Sequence, residues 1–167
     1  MPCEKYSSSA AFKNIITAGA IAGTLDILAA FADYYIETGK GPEDVLRFIA
    51  SGVFGKSAFT GTTVMIWSEL LFHFLIALIF TTIYFIIYPR VKWLHINLVL
   101  TALILAIITW LVMNIIVVPL SSTPSIPFKF ISAVKAIGIL IFTIGFPLAI
   151  IFRNFYRSQN EIVTVVT

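Results

Sequence analysis

Apolar residues fill four long stretches of this chain, and polar residues gather almost wholly between them. A helix needs about 20 apolar residues to cross a bilayer, and each stretch is long enough. The pattern predicts spans at about 14–36, 65–88, 96–119 and 131–152. "YPRVKWLH", between the second and third, reads as a tight turn, with Pro89, Arg90 and Lys92 flanked by the interfacial aromatics Tyr88 and Trp93. "PLSSTPSIPFK", between the third and fourth, carries three prolines and reads as an irregular loop.

The first connection has a pattern of its own. From Gly41 as N-cap, with Pro42 first and Glu43 and Asp44 in the opening turn, a loop helix is expected over about 42–59. Val45, Leu46, Ile49 and Val53 fall on one face, and Arg47 and Ser51 lie away from it. Such a helix either lies in the membrane interface or re-enters, breaking at Gly52 and Gly55. The expected fold is therefore all-α: one transmembrane domain, a four-helix bundle with an interfacial or re-entrant helix between its first two spans.

Composition agrees with that reading. The 167 residues are 59% hydrophobic and 11% charged, with a mean hydropathy of +1.00. Soluble domains are about 25% charged. Basic residues are scattered singly, without the patch that nucleic-acid binding requires. The single cysteine, Cys3, excludes a disulfide framework and a cysteine metal cluster. The N-terminal tail, second connection and C-terminal tail carry Lys5, Lys13, Arg90, Lys92, Arg153 and Arg157. On the opposite side Lys40, Arg47, Lys56 and Lys129 are diluted by Asp33, Glu37, Glu43 and Asp44. The positive-inside rule then puts both termini in the cytoplasm. A cleavable leader ending near Ala30–Ala32 competes for the first segment, but Asp26 would interrupt its apolar region.

Asp26 is the candidate around which the chemistry turns. Gly19, Gly23, Asp26, Ala30 and Asp33 follow one another at helical four-three spacing, so one seam is small and acidic. Gly19 and Gly23 form a small-xxx-small element that admits a neighbouring backbone. A carboxylate at mid-helix costs at least about 2.5–3.5 kcal/mol and normally finds partners within the bundle. Each remaining span offers one: Glu69 and His73 in the second, Asn114 in the third, Lys135 in the fourth. Lys135, Gly138, Phe142 and Gly145 form a second seam with packing glycines. With both termini inside, these polar residues all lie from the midplane outward. They predict a polar pocket in the outer half, closed toward the cytoplasm. The alternative is structural, an Asp26–Lys135 ion pair that fixes helix register.

Asp26, Glu69 and His73 are also weak metal candidates, or could relay a proton. His73 and His95 lie at opposite membrane faces, which excludes a bis-histidine haem. "ASGVFGKS" resembles a phosphate loop but lacks the preceding strand, so no nucleotide is expected. No hydrolase elbow is present, so enzyme chemistry has little support. No cofactor is expected beyond bound lipid.

"AGAIAGTLDILAAF", "VLRFIASGVFGKSAF", "LLFHFLIA" and "WLVMNIIVVPLS" together resemble uncharacterised small bacterial inner-membrane proteins of the YagU-like kind. The resemblance is one of overall pattern, over about residues 14–152, and carries no catalytic motif. It implies a multi-pass protein of the bacterial plasma membrane. Three functions follow from the residues: ion, proton or small-solute handling; an accessory subunit of a larger membrane complex; or an enzyme acting on a lipid or quinone. Expected partners are the bilayer and either further copies or other membrane subunits.

Overall fold

The computed structural model describes residues 7–60, 63–123 and 128–166. No strand occurs among the described residues, and four helical rods are long and apolar enough to cross a membrane: Ser8–Thr38, Leu70–Arg90, Leu98–Leu120 and Phe130–Gln159. Helix α1 is Ser8–Thr38, α2 is Glu43–Phe54 and α3 is Thr63–Ile87. The third rod comprises α4 (Leu98–Leu111) and α5 (Val118–Leu120), and the fourth comprises α6 (Phe130–Leu140) and α7 (Phe146–Val166).

Local chemistry sets the ends. Gly39 closes α1 in the left-handed region, φ 67°, where a side chain would be strained, and its N–H reaches the Tyr35 carbonyl at 2.8 Å. Asn97 caps α4, its Oδ1 accepting from the N–H groups of Val99 and Leu100.

Both later rods contain a π-helical turn, Val112–Val117 and Ile141–Gly145. Each ends two residues before a proline, Pro119 and Pro147. Proline has no N–H for the carbonyl four residues back, here that of Ile115 or Thr143, and its ring crowds that carbonyl. A wider turn relieves the crowding and rotates the preceding side chains relative to a regular helix.

Helix α1 packs along α3 and the fourth rod, and the fourth rod packs along α4. Gly19 and Gly23 face α3: a Cβ on Gly19 would stand 2.6 Å from Leu78 Cδ2, and one on Gly23 would stand 3.0 Å from Phe74. Gly145, in the second π turn, presses against the Ala102 backbone, with the Ala102 Cα 3.0 Å from a would-be Cβ. Gly138 has nothing within 4 Å of that position, so this part of the expected glycine seam makes no close helix contact.

At the end holding the α3–α4 turn, aromatic rings fill the interior. Tyr88 stacks between His95 (4.8 Å) and Tyr156 (5.5 Å), and Phe85 meets Phe152 at 5.6 Å. The polar atoms are satisfied locally. Tyr156 donates to the Phe85 carbonyl at 2.7 Å, and His95 Nε2 donates to the Tyr88 carbonyl at 2.8 Å.

The loop helix differs in its buried face. Leu46, Ala50 and Ser51 are buried against the bundle, whereas Val53 is 55% exposed. Ser51 tolerates burial because its hydroxyl donates to the Phe48 carbonyl at 2.6 Å, and small Ala50 and Ser51 let α2 approach α3.

The two α6–α7 glycines give a paired prediction. Gly145→Ala drives a methyl into backbone that cannot swing aside and should cost roughly 1–3 kcal/mol, as overpacking does. Gly138→Ala meets open space and gains helix propensity, so its melting temperature should equal or exceed that of the parent. Thermal unfolding of both variants in one detergent checks the contrast.

Candidate functional site

A cavity of about 580 Å³ occupies the middle of the bundle, with all four rods and α2 contributing to its walls. Asp33, Gly52, Ser121 and Lys129 line it at the end where α1 meets α2 and α5 meets α6. At the other end it stops near Thr81, Ile144 and Leu148, next to the aromatic layer. The mouth is braced by backbone: the Ser122 N–H donates to the Gly52 carbonyl at 3.0 Å, tying the loop after α5 to α2. Tyr34 of α1 reaches Asp44 of α2 at 3.0 Å.

Asp26 stands twelve residues before the end of α1, roughly 18 Å along the helix from that end. It is partly buried and lines the cavity. Its Oδ1 accepts from the Thr143 hydroxyl at 3.3 Å, and His73 lies within electrostatic reach. The second π turn contains Thr143, whose one hydroxyl proton is shared between Asp26 and the Ile139 carbonyl, the latter at 3.1 Å. His73 Nε2 stands 2.8 Å from the Gly23 carbonyl. A carbonyl only accepts, so Nε2 carries a proton and donates it. This bond reaches the backbone of α1 about one turn from Asp26, where the bare Gly23 Cα packs against Phe74 and Ala77 of α3.

Asn114 lines the cavity from the first π turn, with its Nδ2 donating to the Trp110 carbonyl at 2.9 Å. Trp110 and Phe128 meet edge to face near the mouth, with centroids 6.3 Å apart. Glu69 belongs to α3, and its side chain lies outside the described residues.

Lys135 does not make the pair with Asp26 that the structural alternative requires. Its Nζ is 2.9 Å from Asp33 Oδ1 and also pairs with Glu37. The reason is depth. Lys135 stands five residues into α6 and Asp33 five residues before the end of antiparallel α1. Thr143 stands thirteen residues in, level with Asp26 at twelve. The site thus brings Asp26, His73, Asn114 and the unforeseen Thr143 to one cavity and holds Lys135 at its margin. Thr143 could have been found from sequence by counting residues inward from the shared loop end.

Among the described residues, no three His, Cys, Asp or Glu side chains come together as metal ligands. A second, wholly apolar groove of about 350 Å³ runs between α3 and α4, lined by residues such as Ile83, Ile87, Leu94 and Ile108. Comparison with protein families, curated proteins and solved structures finds no match to this chain. What the geometry establishes is a multi-pass helical bundle whose four rods are apolar enough to cross a membrane.

The Lys135 bridge is 38% exposed on the lysine side and 57% on Glu37. Partly exposed pairs contribute little, so Lys135→Gln should lower stability by less than about 1 kcal/mol. A chemical-denaturation midpoint that shifts far beyond that would show that the bridge holds α1 to α6.

Proposed function

We propose that this chain is a multi-pass protein of a bacterial plasma membrane, with cytoplasmic termini, that holds a small solute or ion in the central cavity. One observation carries the reading. A carboxylate lies roughly 18 Å inside the rod from its loop end, at the wall of a space of about 580 Å³, with a single hydroxyl as its hydrogen-bond donor among the described residues. A carboxylate serving only to lock helices would be expected to close upon its partner and leave no cavity. Intramembrane ionisable groups that face a cavity are the usual markers of a solute path.

The positive-inside pattern and the YagU-like sequence character support the compartment and orientation. With the termini inside, the mouth opens outward and the aromatic layer of Phe85, Tyr88, Phe152 and Tyr156 closes the cytoplasmic side. Passage across the membrane then requires that layer to part, and binding alone does not. The apolar groove between α3 and α4 suits a lipid acyl chain.

The accessory-subunit reading relied on small-residue seams as docking surfaces. Gly19, Gly23 and Gly145 are covered by Leu78, Phe74 and Ala102 of the same chain, which weakens it.

Thiol labelling tests the cavity. In a Cys3→Ser background, Asn114→Cys and Ala136→Cys should react in whole cells with a charged, membrane-impermeant thiol reagent. Phe142→Cys, at a position 71% exposed on the outside of its rod, should stay unlabelled. Lys40→Cys, in the exposed loop, is the positive control. If Lys40→Cys labels and neither cavity cysteine does, the water-accessible cavity is refuted. Labelling of Lys40→Cys only in inverted vesicles would reverse the orientation.

A further inference from the structure

We propose that the cavity takes an organic cation, a protonated or quaternary centre carried on an apolar body, with Asp26 as its counter-ion. The inference rests on the cavity reading above and names its ligand class.

Size comes first. A volume of about 580 Å³ falls in the range of sites for small organic molecules, about 300–1,000 Å³. A proton relay or a bare metal ion needs no such space. The walls come second. Ile49, Ala77, Met113, Val117, Ala136 and Leu140 give the cavity a mainly apolar lining that matches a hydrocarbon body. Four aromatic rings, Phe48, Phe80, Trp110 and Phe128, line it as well. Aromatic faces carry negative charge density and attract cations.

The sign of the charge follows from the ion pairs. Asp33 also lines the cavity, but Lys135 holds it. Lys129 is exposed at the rim. That leaves Asp26 as the acidic side chain of the lining with no lysine or arginine pair among the described residues. Thr143 fixes one carboxylate oxygen, and a carboxylate has acceptor capacity for several donors. His73 is turned by its bond to Gly23, which keeps the imidazole at the cavity wall beside the carboxylate. A cation seated at Asp26 with its apolar body toward Trp110 and Phe128 would fit the charge and the lining together.

The test uses the full chain with Trp67→Phe and Trp93→Phe, both positions about 70% exposed, so that Trp110 is the remaining indole. In phosphatidylcholine nanodiscs it is titrated with tetraphenylphosphonium and with tetraphenylborate, ions of matched shape and opposite charge. Empty nanodiscs give the correction for partition into lipid. Saturable quenching of Trp110 by the phosphonium and not by the borate is expected. Asp26→Asn should weaken phosphonium binding about thirtyfold or more, the scale of losing a desolvated charge partner, and Asp26→Glu should retain part of the affinity.

Equal or stronger saturable binding of the borate would overturn the cation assignment and leave the cavity reading standing. So would unchanged phosphonium affinity in Asp26→Asn. The comparison of the two probes needs no change at Asp26, so it decides the sign even if that variant fails to fold. If neither probe saturates while Asn114→Cys still labels, the cation proposal falls and the cavity remains. If neither probe binds and the cysteines do not label, both fall together.

Discussion

Everything in this bundle depends on how one carboxylate is accommodated among apolar helices. Asp26 is partly buried at the wall of the central cavity, so its partners come from the chain or from whatever enters that space. The chain supplies little: a hydroxyl at 3.3 Å and a neighbouring imidazole. Thr143 is available because Pro147 disrupts the regular helix ahead of it. The same π turn sets Gly145 against the Ala102 backbone. His73 is held by the Gly23 carbonyl, and the bare Gly23 Cα admits Phe74 and Ala77 of α3, the helix of His73. Proline, glycine and polar side chain are thus parts of one arrangement around a single charge.

The two ends of the bundle have opposite characters for physical reasons that the sequence makes plain. At the turn end, large aromatic side chains from α3, the α3–α4 turn and α7 fill the interior and satisfy their polar atoms on nearby carbonyls. At the loop end, the small residues Ala30, Gly52, Ser121 and Ala133 leave space. Charge at this end is balanced at the margin by Lys135 with Asp33 and Glu37. The cavity is the consequence of bulky filling at one end and small, polar residues at the other.

Much of this could be read from periodicity. Four apolar runs gave four rods, and the four-three spacing of Gly19, Gly23 and Asp26 marked the face that packs inside. Other features were hidden because they depend on relative depth and not on spacing within one helix. Lys135 shares a seam with Gly138 and Gly145, yet its height in the bundle matches Asp33. The π turns follow from Pro119 and Pro147, but the direction in which they rotate side chains needs coordinates. Ser51 defeated the amphipathic pattern of the loop helix because a local hydrogen bond made its burial cheap. Gly138 belongs to a glycine seam by count and faces open space by geometry.

On the proposed reading, Asp26 serves a ligand and does not hold the helices together. Thermal unfolding of Asp26→Asn beside the parent protein, purified in detergent, tests this most directly. The asparagine keeps an oxygen for Thr143 and removes the cost of a desolvated charge, so the account predicts a melting temperature equal to or above that of the parent. A melting temperature several degrees lower would contradict it and make the carboxylate a structural tie between α1 and its neighbours.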